Sequence, residues 1–102
     1  MERFVSPMPL PSDREREILT ILIEECAEVQ QRATKLLRFG RDEVQAGQEL
    51  TNAARLSKEL GDLEVLVAMA VDVGLVDVRI VRDRAARKRQ KLARYMQTEA
   101  QS

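Results

Sequence analysis

Residues 18–37 read ILTILIEECAEVQQRATKLL, a stretch in which apolar side chains recur every three or four positions. This period predicts a long amphipathic helix. Its apolar face comprises Ile18, Ile21, Leu22, Val29 and Leu36. Glu25 falls inside this face and Glu28 lies at its edge, three positions further along the chain. An ionised carboxylate inside an apolar face is costly without a compensating charge, so both acids need a partner.

A second segment, KELGD at residues 58–62, repeats this arrangement. Glu59 and Asp62 are also three positions apart, so they project from one side of a helix. Their apolar neighbours on that side are Leu63, Leu66, Met69, Ala70 and Val73. Four inward carboxylates would repel one another, and a hard divalent cation with oxygen ligands relieves the repulsion. The sequence therefore predicts a metal site.

A network of ion pairs is the competing explanation for these four acids. Arg32 follows Glu28 by four positions, and Arg55 precedes Glu59 by four, both favourable helical distances. That explanation suits most charged helices. Here both acidic pairs face inward, which favours a metal site over a network of ion pairs.

The acids also resemble the signature of the all-α nucleoside triphosphate pyrophosphohydrolases, the MazG-like superfamily. Its Glu-Glu-x-x-Glu motif is matched by Glu24, Glu25 and Glu28, and its Glu-x-x-Asp motif by Glu59 and Asp62. The flanking segments LTILI, LLRFG and KLARY are similar too, so the resemblance covers roughly residues 15–96. The 30 residues between Glu28 and Glu59 are a longer gap than is usual, and the extra length falls in the connecting loop.

The resemblance implies a Mg²⁺-dependent enzyme, with Mn²⁺ as a possible substitute. The expected reaction hydrolyses nucleoside triphosphates, dNTPs or non-standard NTPs, to the monophosphate and pyrophosphate, which cleans the nucleotide pool. By the same analogy the metal ligands are Glu25, Glu28, Glu59 and Asp62. Glu24 and Glu25 are the expected catalytic residues. Glu24 would orient the attacking water or a second ion, unless it is simply solvated.

Several residues are candidates for binding the substrate. Lys35, seven positions after Glu28, and Lys58, just before the second motif, are placed to reach phosphates. Phe39 could stack on a nucleobase and Asn52 could hydrogen-bond one, although packing at the helix end explains Phe39 equally well. The family's late basic and aromatic segment, expected to bind the outer phosphates or the base, is matched by Lys88, Lys91, Arg94 and Tyr95.

Composition limits the other function classes. The chain has 102 residues and balanced charge, but Arg79–Arg94 carries eight basic residues and one acid. This basic segment supports a second hypothesis, a helical protein that binds nucleic acid phosphates. A third is a non-catalytic oligomerisation module. The chain has no histidine, which disfavours histidine general-base catalysis and the Glu-x-x-His motif of di-iron bundles.

The cysteine content and the length of the apolar runs predict the cellular compartment and whether the protein contacts a membrane. The single cysteine, Cys26, rules out an internal disulfide and is expected to be a small buried packing residue. No run of apolar residues approaches the 18 that suggest a membrane span. We therefore expect a cytoplasmic protein without membrane contact.

The predicted fold is all-α. Residues 1–12, with Pro7, Pro9 and Pro11, read as an extended arm, and residues 13–102 as one domain. Three helices are expected near residues 13–38, 52–73 and 77–97, with an irregular loop at 40–49. The first and second helices have wide apolar faces that three helices alone cover poorly. We therefore expect a homo-oligomer, either a dimer or a tetramer, in which pairing of chains completes a four-helix-bundle core. Gly61 inside the second helix suggests close approach of a neighbouring helix or ligand.

Overall fold

A computed structural model of the chain describes residues 9–96 and Thr98. It contains three helices, α1 (Asp13–Phe39), α2 (Asn52–Asp72) and α3 (Val78–Tyr95), and no strand within those residues. The all-α prediction is confirmed, and the helix boundaries agree with the sequence to within about two residues. Residues 9–12 of the predicted arm are irregular and exposed. Residues 1–8, Gln97 and residues 99–102 lie outside the described part of the chain.

Local side-chain caps explain where the helices begin. The Ser12 hydroxyl accepts a hydrogen bond from the Glu15 backbone N–H at 3.1 Å, and the Glu15 carboxylate accepts one from the Ser12 N–H at 2.7 Å. This reciprocal capping box satisfies two donors that would otherwise lack partners. Thr51 caps α2 and Asp77 caps α3 in a similar way. After α1, Gly40 has φ 89°, a conformation that favours glycine.

The core lies between α1 and α2. Ile18, near the start of α1, packs against Leu66 and Ala70, near the end of α2. All three side chains are buried. At the opposite end of the pair, the Asn52 side chain donates to the Gly40 carbonyl. Because early α1 residues meet late α2 residues, the two helices run antiparallel. This packing turns one face of each helix toward the other.

The third helix is different, since it makes only marginal contact with α1 and α2 and has no buried residue. Apolar residues recur at helical spacing along α3 and its C-cap, and of these Val78 is half-buried, whereas the exposed ones include Val81, Ala85, Leu92 and Met96. The radius of gyration is 18.9 Å, against about 13 Å for a compact chain of this length. The chain is therefore elongated, 65 × 38 × 26 Å along its principal axes.

Two expectations about packing are corrected. Cys26 is exposed rather than buried, because it lies on a side of α1 that α2 does not cover. Gly61 has open space around it: apart from its chain neighbours and the local helix backbone, no atom lies within 4 Å of the position that a Cβ would occupy. Nothing within the described chain therefore requires a glycine there. Among the described residues, no helix is both long and apolar enough to cross a membrane.

Candidate metal centre

Three of the predicted carboxylates converge between α1 and α2. Glu25 projects from α1, and Glu59 and Asp62 from one turn of α2. One carboxylate oxygen from each lies within 4.8 Å of the other two. Glu25 and Glu59 are half-buried, while Asp62 is exposed. The group, which we call the carboxylate triad, is thus anchored in the helix interface and open to solvent on the Asp62 side.

The electrostatics of the triad centre on Glu25. Burial raises the pKa of this carboxyl, and a side-chain hydrogen bond with Glu59 raises it further. The negative charges of Asp62, Glu59 and Glu28 act in the same direction. In addition, Oε2 of Glu25 is shielded from solvent and has no hydrogen-bond partner within the described residues. An acceptor in this position is under-satisfied, and a cation would satisfy it.

The donor set fits a hard divalent cation. Mg²⁺ prefers oxygen ligands and is commonly held by a few carboxylates while keeping several waters. The triad supplies carboxylate oxygens alone, with an exposed side from which water or substrate phosphate could approach. No thiolate competes, because the one cysteine is not part of the group.

The other two predicted acids, Glu28 and Glu24, are not members of the triad. Glu28 is exposed and not one of the three converging residues, although its charge contributes to the raised pKa of Glu25. Glu24 is exposed on α1. The structure therefore brings together three of the four expected ligands, and the roles of Glu28 and Glu24 stay predictions.

The competing ion-pair explanation finds no support. Within residues 9–96 the ion pairs join Arg41 to Asp42, Arg79 to Asp77 and Arg87 to Asp83. None of them involves a residue of the triad, Glu28, Arg32 or Arg55. Arg55 instead donates through Nη1 to the Gln45 side chain at 3.2 Å. The inward acids therefore form no direct ion pair in the described part of the chain, although Arg32 and Arg55 line one pocket with Glu28 and Glu59.

Lys58 lines a pocket beside the triad. The pocket has a volume of about 140 Å³ and lies where α1, α2 and the connecting loop meet. It shares Glu59 with the triad, and Glu28, Arg32 and Arg55 also line it. Helical spacing alone suggested only ion pairs for the two arginines, Arg32 with Glu28 and Arg55 with Glu59. Their grouping was missed because it depends on how the helices pack.

Lys35 and Phe39 lie together at the end of α1. The Lys35 ammonium is 5.6 Å from the centre of the Phe39 ring, and the Arg38 guanidinium is 5.0 Å from it. Both distances are within the range of cation–π attraction. The ring is 42% exposed, so part of it stays accessible. Phosphate binding by Lys35 and base stacking by Phe39 stay predictions.

Asn52 has a structural position that sequence reasoning missed. Its side chain is 1% exposed, and Nδ2 donates to the Gly40 carbonyl at 2.8 Å and to the Glu43 carboxylate at 3.2 Å. These hydrogen bonds join the end of the connecting loop, at Asn52, to its beginning, at Gly40 and Glu43. A polar residue after a helix cap is common, so nothing in the sequence pointed to this role. The expected contact with a nucleobase has no support from this buried position.

The late basic and aromatic residues are not brought to the triad within one chain. The exposed side chains of this group are Lys88, Lys91, Arg94 and Tyr95. They lie on α3, which makes only marginal contact with the other helices. A role for them at the substrate would require a different arrangement, such as a second copy of the chain.

The chain matches no family model, no curated protein and no solved structure. Its function is therefore inferred from its own residues.

Proposed function

We propose that the chain is a Mg²⁺-dependent nucleoside triphosphate pyrophosphohydrolase, as its resemblance to the MazG-like enzymes implies. The observation that carries the proposal is the convergence of Glu25, Glu59 and Asp62 without a direct ion pair to a basic side chain in the described residues. Such a group favours binding of a divalent cation, with Mn²⁺ as a possible substitute. The expected substrates are dNTPs or non-standard NTPs.

In this proposal the triad holds the cation, with Glu28 as a fourth ligand. When bound, Mg²⁺ would neutralise phosphate oxygens and lower the pKa of an attacking water. Water forms a bond to the α-phosphorus, the bond from that phosphorus to the bridging oxygen breaks, and pyrophosphate leaves. Glu24, or Glu25 where it is not engaged with the metal, would accept the proton of the water. Lys35 and Lys58 would bind substrate phosphates.

We also propose that the active form is a homo-oligomer, a dimer or tetramer. Only Ile18, Leu66 and Ala70 are buried among the apolar residues of the described chain, a very small core for three helices. Exposed apolar side chains occur on all three helices, among them Ile23, Leu60, Val65, Ile80 and Leu92. Pairing of chains would remove them from water and complete a four-helix core. It could also bring α3 of one copy to the triad of another.

A panel of NTPs and dNTPs incubated with Mg²⁺ tests the catalytic proposal. We expect release of pyrophosphate, not orthophosphate, and loss of the activity in EDTA. Asp62→Asn should abolish turnover, whereas Glu64→Gln, which removes the same charge at an exposed α2 position, should keep it. Release of orthophosphate, or equal activity of Asp62→Asn and the wild type, would contradict the proposal.

Sedimentation at micromolar concentration tests the assembly. A stable, folded monomer of 11.6 kDa would refute it.

Nucleic-acid binding is a second candidate because α3 is exposed along its length and strongly basic. Phosphate contacts by Lys and Arg make such binding fall steeply with salt. Salt-sensitive DNA binding without Mg²⁺-dependent hydrolysis would favour this candidate. Absence of both activities would favour a non-catalytic oligomerisation module.

A further inference from the structure

We propose that Arg32, Arg55 and Lys58 form a phosphate-binding pocket that takes the pyrophosphate end of the substrate. The inference rests on the proposed function for the identity of the ligand. The pocket itself is defined by residues that the structure places together. Neither arginine belongs to the acidic motifs that suggested the metal site.

Arg32 is the strongest indication that the pocket binds an anion. This side chain is half-buried, and its Nε and Nη1 atoms are shielded from solvent and have no hydrogen-bond partner within the described residues. Shielded N–H groups without a partner are costly, because they have given up water without a replacement. The fork of N–H groups on arginine matches the oxygens of a phosphate group. An oxyanion in the pocket would satisfy these donors.

The size and charge of the pocket suit a phosphate group. A volume of about 140 Å³ leaves room for a small anion such as a phosphate group. Three cations line the pocket, together with the carboxylates of Glu28 and Glu59. The lining is therefore net positive. Because Glu59 also belongs to the triad, a cation bound there would offset its charge and favour an anion further.

The position of the pocket assigns it to the substrate rather than to a separate ligand. Glu59 is common to the triad and the pocket, so an anion in the pocket would lie beside the metal site. A nucleoside triphosphate presents two further phosphates next to the one attacked. The pocket would hold this leaving portion and favour triphosphates over monophosphates.

Binding of inorganic pyrophosphate, measured by calorimetry in Mg²⁺ and again in EDTA, tests the inference without turnover. We expect Arg32→Gln to weaken pyrophosphate binding at least about tenfold, since hydrogen bonds between charged groups contribute about 1.5–3 kcal/mol. Arg14→Gln is the matched control, because it removes one positive charge from an exposed position about five helical turns away. It should leave binding unchanged.

Two further variants guard against a folding defect in Arg32→Gln. Arg32→Lys keeps the charge but loses the planar fork, so an intermediate affinity is expected. Lys58→Gln alters an exposed side chain and should weaken binding several-fold without changing the helix content. Circular dichroism establishes that each variant is folded.

The outcomes separate this inference from the proposed function. Pyrophosphate binding that depends on Arg32 without any nucleotide hydrolysis would support the pocket and contradict the enzyme. Hydrolysis with pyrophosphate affinity unchanged in Arg32→Gln and Lys58→Gln would support the enzyme and overturn the pocket. Absence of pyrophosphate binding in both buffers would also overturn it. If Arg32 only compensates nearby acids, its loss would lower stability and leave pyrophosphate affinity intact, which overturns the inference too.

Discussion

The α1–α2 pair and α3 have similar sequence patterns but very different environments. Each helix shows apolar residues at helical spacing and begins at a side-chain cap. Yet α1 and α2 bury Ile18, Leu66 and Ala70 against each other, whereas α3 has no buried residue. The inward face of α1–α2 also carries acids, and α3 carries mainly bases. An amphipathic period thus predicts a helix but does not identify the surface that covers its apolar side.

This difference suggests a division of roles within the chain. The α1–α2 pair contains the triad and the adjacent pocket, so the proposed chemistry belongs to it. The exposed α3 is suited to contact another molecule, and a second copy of the chain is our proposed partner.

The largest effect is expected at the triad. Asp62→Asn should reduce Mg²⁺-dependent hydrolysis by orders of magnitude, because it removes a ligand charge while keeping the side-chain shape. The stability of this variant in EDTA should hold or rise, since a repelling charge has gone. Mg²⁺ should raise the melting temperature of the wild type more than that of the variant.

Melting curves of both proteins with EDTA and with Mg²⁺ provide the measurement. A variant destabilised in EDTA, together with a wild type that shows no Mg²⁺ shift, would contradict a metal site and favour a structural role for the acids.

Truncation of the core should affect stability more than truncation of α3. Ile18→Ala should lower the free energy of unfolding by about 2–5 kcal/mol, because Ile18 is 1% exposed. Leu92 is 41% exposed, so Leu92→Ala should change the free energy of unfolding of the dilute protein by no more than about 0.5 kcal/mol relative to the wild type. Denaturant titrations measure both changes. Equal losses in dilute protein would mean that α3 packs on α1–α2 within the chain.

The pH dependence of the metal-free protein should reveal Glu25. Its pKa is raised above the ordinary value of 4.5, so the folded state binds this proton more tightly than the unfolded chain does. The resulting stabilisation is present below pH 4.5 and is lost as the pH rises through 4.5 and then through the raised pKa. Glu25→Gln should remove this part of the pH dependence.

Denaturation in EDTA across this pH range measures the effect as a difference between variant and wild type. Glu64→Gln, at an exposed position on α2, is the control for the loss of one carboxylate. If Glu25→Gln retains the wild-type slope, the triad does not perturb Glu25.

The smallest effect concerns the outer side of α2. Gly61→Ala should stabilise the chain by about 1 kcal/mol, because alanine favours a helix and the structure leaves room for a methyl group. Thermal melting at two protein concentrations measures the gain. A loss that increases with concentration would instead place a second copy of the chain against Gly61, and so sharpen the contrast between covered and open helix faces.

Much of the local structure could be predicted from the sequence. The period of apolar residues and the capping residues Ser12, Thr51 and Asp77 depend on interactions within about one helical turn. The same period placed Glu25 and Glu59 on inward faces. Three of the four carboxylates that the sequence predicts as metal ligands converge in the structure, and metal binding by them stays a prediction.

Other features were decided by tertiary structure. The convergence of Glu25 with Glu59 and Asp62 depends on the antiparallel packing of two helices far apart in the chain. The burial of Asn52 depends on the path of the connecting loop, and the exposure of Cys26 on where α2 lies.

Arg32 and Arg55 show most clearly the difference between what helical spacing predicts and what helix packing decides. Helical spacing allowed Arg32 to pair with Glu28 and Arg55 with Glu59, yet neither pair forms. The helices, their inward acids and the basic character of α3 could be read from the sequence, because these features depend on neighbours within a few residues. Which charges meet across the interface, and which have no direct partner in the described residues, depends on how separate helices pack, and helical spacing does not specify that packing.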